Sequence, residues 1–364
     1  MSGIASIQHF IVQFVKAGEK VVPHFAHLAQ SNCPNSKGGE GPYHEQGKML
    51  LYKWLKEQQL SVQLERYLHK INQRPDLTLQ WKNKCLAIEY QCATLSTNEV
   101  IHRNNGYISS NITPIWIFGA NQFQRLNEHS IKIKSFMKQC FLHFNSNPSL
   151  IFFCPHTSRI LAINDIFFVS SNKIVGKITF HRLNVISLPQ LFIKQRLSSS
   201  QLISLWTKEK HKFRLKVRKR LYGTELAWHK WLYTKNIHFE RLPSIVYLPT
   251  TSQHVMKSPP WNWQSRLCLD IIHPLPIGAP FTLKQCMQLL HVHLRHQPKS
   301  PLNKKMKHPV FQYLLLLDRL NIIKHVSKNQ FIKVQPLMFY ENVKEALNGD
   351  QLTVKELFGK RRHD

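Results

Sequence analysis

Two carboxylates lie in a segment that otherwise has the alternation of a buried strand pair. Asp76 and Glu89 belong to RPDLTLQWKNKCLAIEYQ (residues 74–91), in a chain with 50 Lys and Arg but only 20 Asp and Glu. A two-residue turn at Lys82 and Asn83 would pair residues whose numbers sum to 165, and so place Asp76 opposite Glu89. Two ionised carboxylates about 4.5–5.5 Å apart repel each other, so we expect a positive group between them.

A hard divalent cation such as Mg²⁺ or Mn²⁺ could supply that positive charge, because it binds oxygen ligands and retains several waters. Such an ion can activate a water and stabilise charge on a phosphate. Glu45, three residues before Lys48 on a predicted helix, could deliver a third carboxylate. The pattern alone leaves two alternatives open. Asp76 could pair with Arg74 or a lysine on an edge strand, and Glu45 could be an ordinary first-turn acid.

The elements around the two acids follow from the spacing of apolar residues. With the register above, one face of the hairpin carries only Leu and Ile, and a slip of one residue would turn both acids into the core. The other predicted elements are a helix at 44–58, a strand within 61–68, a helix capped by Ser96 or Thr97, and a strand at 113–119. Their order is α-β-β-β-α-β.

The net charge of +30 favours a polyanionic partner. Lys and Arg contacts to phosphate dominate nucleic-acid affinity, so DNA is the expected partner, with a solvated basic surface or anionic lipid as alternatives. Lys212, Lys216 and Lys219 fall near one face if the basic block at 208–220 is helical, and could contact the phosphate backbone; a solvated charge run is the alternative. The sequence has no G-x-S-x-G, P-loop or Rossmann motif, which argues against serine hydrolases and NTPases.

Six short motifs carry a resemblance to a known family. VVPHFAH, HEQGK, RPD, AIEYQ, the pair Arg103 and Tyr107, and IWIFG occur in this order. Together they resemble the CoiA-like competence proteins of Gram-positive bacteria, strongly over about residues 20–120 and more loosely beyond. The resemblance implies an α/β fold: a PD-(D/E)XK nuclease-like α-β-β-β-α-β core with a mixed central sheet. An α+β region and a mainly helical, basic C-terminal region would follow it.

The same resemblance implies roles for individual residues. Asp76 and Glu89 would be metal ligands, and Glu45 the acid of the first helix. Gln91 stands where the wider nuclease superfamily has a lysine. A neutral amide orients water more weakly than an ammonium group does, so a lysine from a neighbouring element could substitute. Lys48 is the candidate, and a surface lysine of the helix is the alternative.

Arg103 and Tyr107 lie four residues apart and share a helix face. The guanidinium of Arg103 could hold a scissile phosphate, with both residues contacting DNA. The alternative is a pair that packs the helix on the sheet.

Four segments are expected along the chain. They are an N-terminal segment with an eroded zinc-ribbon-like region and linker (1–40), the nuclease-like domain (41–125), an α+β middle region (126–200), and the basic, mainly helical C-terminal region (201–364). The middle region should hold a helix at about 127–142, then strands at 150–155, 160–169 and 174–183.

No zinc is expected, because the seven cysteines form no CxxC and leave His24, His27 and Cys33 as a poor ligand set. The chain has no apolar run long enough for a membrane span and no signal-peptide pattern, so we expect a cytoplasmic location.

The expected function is a metal-dependent DNA nuclease or DNA-processing protein in genetic competence, acting in transformation and recombination of incoming DNA. The alternative is a non-catalytic DNA-binding or recombination-accessory protein with the same fold. A third hypothesis is a scaffold for other competence or recombination proteins.

Overall fold

Strands dominate the first half of the described chain and helices the second. The computed structural model describes residues 13–18, 21–27, 41–144, 147–193, 195–216, 220–294 and 307–359. The helices are α1 (Pro42–Glu57), α2 (Thr97–Ser109), α3 (Ser199–Leu215), α4 (Gly223–Thr234), α5 (Pro260–Arg266), α6 (Leu283–Leu289), α7 (Pro309–Arg319) and α8 (Val343–Gly359). A π-helical turn, Leu267–Ile272, continues α5.

Three sheets are described. The strands are β1 (Gln13–Gly18), β2 (Val21–His27), β3 (Val62–Leu64), β4 (Leu77–Trp81), β5 (Lys84–Gln91), β6 (Ile112–Gly119), β7 (Gln124–Asn127), β8 (Ser130–Lys132), β9 (Leu142–Phe144), β10 (Asn147–Cys154), β11 (Arg159–Phe168), β12 (Lys173–Arg182), β13 (Pro280–Thr282), β14 (Ile323–Ser327) and β15 (Gln330–Lys333). The large sheet has the order β3-β4-β5-β6-β10-β11-β12-β8-β7, with β9 beside β10. The others are β1-β2 and β13-β15-β14.

The large sheet is mixed, as predicted. Strands β5, β6 and β10 are parallel, whereas β3-β4-β5 and β10-β11-β12 are antiparallel. A parallel pair needs a crossover connection, and α2 supplies it between β5 and β6. The predicted order α-β-β-β-α-β is therefore confirmed as α1-β3-β4-β5-α2-β6. The sheet does not stop at the boundary expected near residue 125, since β10, β11 and β12 extend it to Arg182.

The hairpin of β4 and β5 has the predicted register. Leu77 pairs with Ile88 and Leu79 with Leu86, both sums being 165. These four side chains pack in one core with α1. The opposite face is also covered, because Ala87 is fully buried and packs with residues of the α2 side. The hairpin is thus enclosed by helices on both faces, which leaves the end of the strands for polar groups.

Helix α1 approaches β5 closely at a glycine. The helix buries Leu51, Trp54 and Leu55 against the sheet. A Cβ placed on Gly47 would lie 2.1 Å from Cε1 of Tyr90 on β5. Glycine therefore permits the approach that puts the first turn of α1 beside the ends of β4 and β5.

The helix predicted at about 127–142 is wrong. The structure has β7 and β8 joined by a tight turn, and then a single 3₁₀ turn, Phe136–Gln139. Pairing of β8 with β12 at the edge of the large sheet overrides the local helical spacing. The three strands predicted after it are confirmed as β10, β11 and β12.

The C-terminal region is mainly helical, as predicted, and contains its own core. Helix α8 docks on α3 through a buried ionic network. Asp350 accepts two hydrogen bonds from Arg214, both at 2.9 Å, and lies 3.2 Å from Nζ of Lys210. All three side chains are at least 98% buried, so each charge depends on the others. In the ranges that the structure covers, no helix combines the length and apolarity needed to cross a bilayer.

The N-terminal hairpin consists of β1 and β2, which pair antiparallel. Cys33 lies outside the described residues, and of His24 and His27 only the backbone is described. The expectation about zinc therefore falls outside what the structure describes.

Candidate active site

Asp76 lies directly before β4, at the end of the hairpin. Its Oδ2 accepts a hydrogen bond of 2.7 Å from the backbone N–H of Tyr90 and lies 3.5 Å from Nε2 of His44 on α1. The residue is 8% exposed. Arg74, its alternative partner from the sequence, instead lies 3.6 Å from Glu65. Asp76 is thus fixed by β5 and by the first turn of α1.

Glu89 on β5 is held by two residues of α2. Nη1 of Arg103 donates to Oε2 at 3.0 Å, and the hydroxyl of Tyr107 donates to Oε1. Glu89 is 3% exposed and Tyr107 is fully buried. Burial and the neighbouring carboxylate raise the pKa of Tyr107 far above its usual range. Arg103 and Tyr107 thus have the contacts expected of a pair that packs α2 on the sheet. Tyr107 would have to leave this buried position to contact DNA directly.

The guanidinium of Arg103 interacts electrostatically with both acids of the hairpin. Burial opposes its charge, but the fields of Glu89 and Asp76 favour it, and the pKa of Arg103 is raised. Its guanidinium also lies 5.9 Å from the centre of the Trp116 ring. The side chain is 31% exposed, so part of the guanidinium reaches solvent.

Glu45 and Lys48 meet on the first turns of α1. Nζ of Lys48 donates to Oε1 of Glu45 at 2.8 Å and to Oε1 of Glu65. Lys48 is 1% exposed, which is rare for a lysine unless it is paired. His44 connects this group to Asp76, because its Nδ1 lies 3.9 Å from Glu45. The first turn of α1 therefore brings its acid to the same end of the sheet as Asp76.

Glu65 and His44 are parts of the site that the sequence reasoning missed. Glu65 follows β3 with a φ of +48°, and its N–H donates to the carbonyl of Asp76 at 2.9 Å. His44 stacks on Tyr90 with ring centres 5.5 Å apart. One signal was available for Glu65: acids are scarce in this chain, and this one adjoins the hairpin.

The side-chain amide of Gln91 is hydrogen-bonded to the loop that follows β5. Its Nε2 donates to the backbone carbonyl of Ala93 at 2.9 Å, and the backbone carbonyl of Gln91 accepts from Nε2 of Gln122 at 2.8 Å. The side chain thus stabilises the loop after β5.

The acids fit a hard divalent cation by their chemistry. Within the described ranges, no three His, Cys, Asp or Glu side chains form a group that could hold a metal ion. Mg²⁺, however, is usually bound through one or two carboxylates together with waters. Asp76 and Glu89 offer two such carboxylates near the same guanidinium. Arg103 and an ion would compete for Glu89.

The predicted basic face of the C-terminal region is only partly realised. Helix α3 ends at Leu215, so Lys216 lies beyond the helix and the helical condition for a shared face is not met there. Helical spacing of basic residues does not define a C-terminus, and no Gly or Pro marks one here. Lys212 is 65% exposed and 3.3 Å from Glu209. Lys219 lies outside the described residues.

Comparison with known proteins gives two consecutive family matches. A model described as "Competence protein CoiA, nuclease-like domain" matches residues 40–196, and one described as "Competence protein CoiA, C-terminal domain" matches residues 202–347. The chain is 30% identical over 345 residues to Competence protein CoiA of Bacillus subtilis (strain 168), covering 93% of this chain and 91% of the relative. No solved structure matches the chain significantly. The first match extends across the boundary expected near residue 125, as the large sheet does.

Proposed function

Because the chain belongs to the CoiA competence protein family, we propose that it processes DNA as a metal-dependent phosphodiesterase during genetic competence. Family membership and the nuclease-like domain support a role in competence. The observation that carries the proposed chemistry is the pair of scarce, buried carboxylates, Asp76 and Glu89, that both act on Arg103 at one end of the mixed sheet. The proposed place of action is the cytoplasm, where incoming DNA is recombined, with competence or recombination proteins as further partners.

In this proposal Asp76 and Glu89 hold Mg²⁺ or Mn²⁺, which when bound supplies charge stabilisation and an activated water. The chain's own groups position the two carboxylates. The N–H of Tyr90 fixes Asp76, and Tyr107 fixes one oxygen of Glu89. The partly exposed guanidinium of Arg103 is placed to bind a phosphate oxygen.

Two further residues have supporting roles in the proposal. Lys48, as a buried cation, orients Glu45 towards the site. Gln91 orients water only if its amide leaves the carbonyl of Ala93.

The test is cleavage of plasmid and single-stranded DNA by the full chain with Mg²⁺ or Mn²⁺. Asp76→Asn and Glu89→Gln should each lower the rate by more than about 100-fold, beyond the effect usual for an outer-shell partner. Glu128→Gln is the matched control, because its side chain is 78% exposed and faces His129. Cleavage that is equally fast in both site variants and in the control would overturn the proposal.

A second candidate is a non-catalytic DNA-binding or recombination-accessory protein. It is favoured by a specific observation: both oxygens of Glu89 already accept hydrogen bonds from the protein. The resemblance also implies that Gln91 stands where the wider nuclease superfamily has a lysine. Salt-sensitive DNA binding without cleavage, unchanged by Asp76→Asn, would support this candidate. Absence of both DNA binding and cleavage at moderate salt would favour the scaffold instead.

A further inference from the structure

A surface cavity of about 500 Å³ lies beside the second half of α1, and none of the acids of the candidate active site lines it. Its walls are the second half of α1, the turn between β10 and β11, and the segment that follows β12. Leu50, Trp54 and Leu183 provide apolar surface in the wall. The cavity is therefore formed by three elements of the nuclease-like domain and not by a single loop.

Two arginines lie side by side in the wall of this cavity. Arg159 begins β11 and Arg182 ends β12, and the two are direct cross-strand partners. Like charges in directly opposed positions destabilise a strand pair. Neither guanidinium makes an ion pair or hydrogen bond with any other described residue. An arrangement that costs stability and is left without an internal counter-charge points to a ligand that supplies the charge.

The remaining lining adds to the positive potential. Lys53 on α1 faces the same cavity, and Glu57 is the one acid among the lining residues. No ion pair joins Glu57 to these cations in the described chain. Three cations against one acid leave the cavity with an excess of two positive charges.

A neutral donor stands next to the arginines. Ser158 in the β10–β11 turn contributes a hydroxyl group. Ser158 has a φ of +48°, a conformation that non-glycine residues seldom adopt, and its carbonyl accepts from the N–H of Leu183 at 2.9 Å. The turn is thereby tied to the segment after β12, and Arg159 is presented next to Arg182.

We propose that this cavity binds the phosphate of a nucleic-acid strand. Planar guanidinium groups bind phosphate oxygens in a bidentate way, and hydroxyl donors complete such a site. The cavity adjoins the candidate active site along α1, because His156 of the same turn contacts Tyr43 with ring centres 5.2 Å apart. From Glu45 to Lys53 the helix rises about 12 Å, or roughly four phosphate spacings of one strand. A bound strand longer than that can reach from the cavity to the acids.

The test is binding of a fluorescein-labelled 12-nucleotide oligo(dT) to the full chain, measured by anisotropy in EDTA. Without divalent ions no cleavage occurs, so the outcome is independent of the proposed nuclease activity. Arg159→Gln/Arg182→Gln should weaken binding about tenfold, and the slope of log K against log salt should fall by about 0.7 for each phosphate that the variant no longer binds. The control is Arg241→Gln/Lys324→Gln, which removes the same charge from exposed positions outside the cavity.

Two further measurements make the result unambiguous. The melting temperature of the arginine variant should be equal to or above that of the parent, since a repulsion is removed; a fall would indicate that the arginines serve the fold. Competition with dAMP and inorganic phosphate identifies the source of the phosphate. If the arginine variant loses binding of dAMP but binds oligo(dT) as the parent does, the cavity binds the phosphate of a mononucleotide, and the proposal of a bound strand is wrong. Affinities for all probes equal to those of the control would overturn the proposal.

Discussion

Arg103→Met should destabilise the nuclease-like domain, because it removes the guanidinium that donates to the buried carboxylate of Glu89. At the observed 3.0 Å, and with an effective dielectric constant of about 20, the attraction is roughly 5–6 kcal/mol before solvation is counted. Two effects reduce the loss. Removing Arg103, which is about one-third exposed, also removes the free-energy cost of partly burying its charge, and Tyr107 still donates to Glu89. We therefore expect a loss of about 2–3 kcal/mol, slightly below the 3–5 kcal/mol usual for a broken buried pair.

The assay is a double-mutant cycle measured by urea denaturation in EDTA, followed by circular dichroism and tryptophan fluorescence. Glu89→Gln removes the buried charge and keeps an acceptor for Tyr107. In that background Arg103→Met should cost less than about 1 kcal/mol, which gives a coupling of about 2 kcal/mol. Arg241→Met, at an exposed position, measures the cost of the substitution itself. A coupling below about 0.5 kcal/mol would refute the view that this pair holds Glu89.

The same cycle tests the proposed metal. If Arg103 and a divalent ion compete for Glu89, Arg103→Met should be stabilised by Mg²⁺ more than the parent. An ion bound with a Kd of about 1 mM, added at about 10 mM, contributes RT ln 11, or about 1.4 kcal/mol. The gain should vanish when Glu89→Gln is added. A Mg²⁺ effect that is the same in all four proteins would contradict metal binding at Glu89.

Two further predictions follow from close contacts in the nuclease-like domain. Gly47→Ala should lower stability by about 1–3 kcal/mol in thermal denaturation, because its Cβ would overlap the ring of Tyr90. Gly359→Ala, at the exposed end of α8, meets nothing within 4 Å and should not lower stability. Burial opposes ionisation of Cys154, but hydrogen bonds from a neighbouring threonine and tyrosine outweigh it and lower the pKa of this thiol, whereas burial raises the pKa of Cys268 to about 12. The rate of alkylation by iodoacetamide, followed by mass spectrometry, should therefore be higher for Cys154 than for Cys268. Plotted against pH, the rate for Cys154 should inflect below pH 9. An inflection above pH 9 would contradict the assigned hydrogen bonds.

The hairpin could be predicted from the sequence because its information is local. A two-residue turn fixes the register, and alternation of apolar residues fixes which face is buried. The Leu77–Ile88 and Leu79–Leu86 pairs follow from these two rules alone. The N-cap of α2 is equally local, since the side chain of Ser96 accepts from the N–H of Glu99.

The remaining parts of the site depend on contacts between distant segments. The sequence predicts that Arg103 and Tyr107 share a helix face. Their hydrogen bonds to Glu89, however, depend on where α2 docks on the sheet. The pairing of Lys48 with Glu65 connects α1 to the residue after β3, and no sequence period marks it. Long-range strand pairing likewise explains the wrong helix at about 127–142, where the edge of the sheet determines the conformation.

The balance of charge at the site argues for a cation that the chain does not itself provide. One-fifth of the 20 acids in this strongly basic chain are at the site, where ion pairs between described residues join four carboxylates to three permanent cations and to His44. These are Glu45, Glu65, Asp76 and Glu89, with Lys48, Arg74 and Arg103. Leaving the imidazole of His44 aside, these seven groups sum to one net negative charge, which would not favour the approach of a phosphodiester. A divalent ion would reverse that sign, and the surplus of basic residues elsewhere would then act together with the site in attracting DNA.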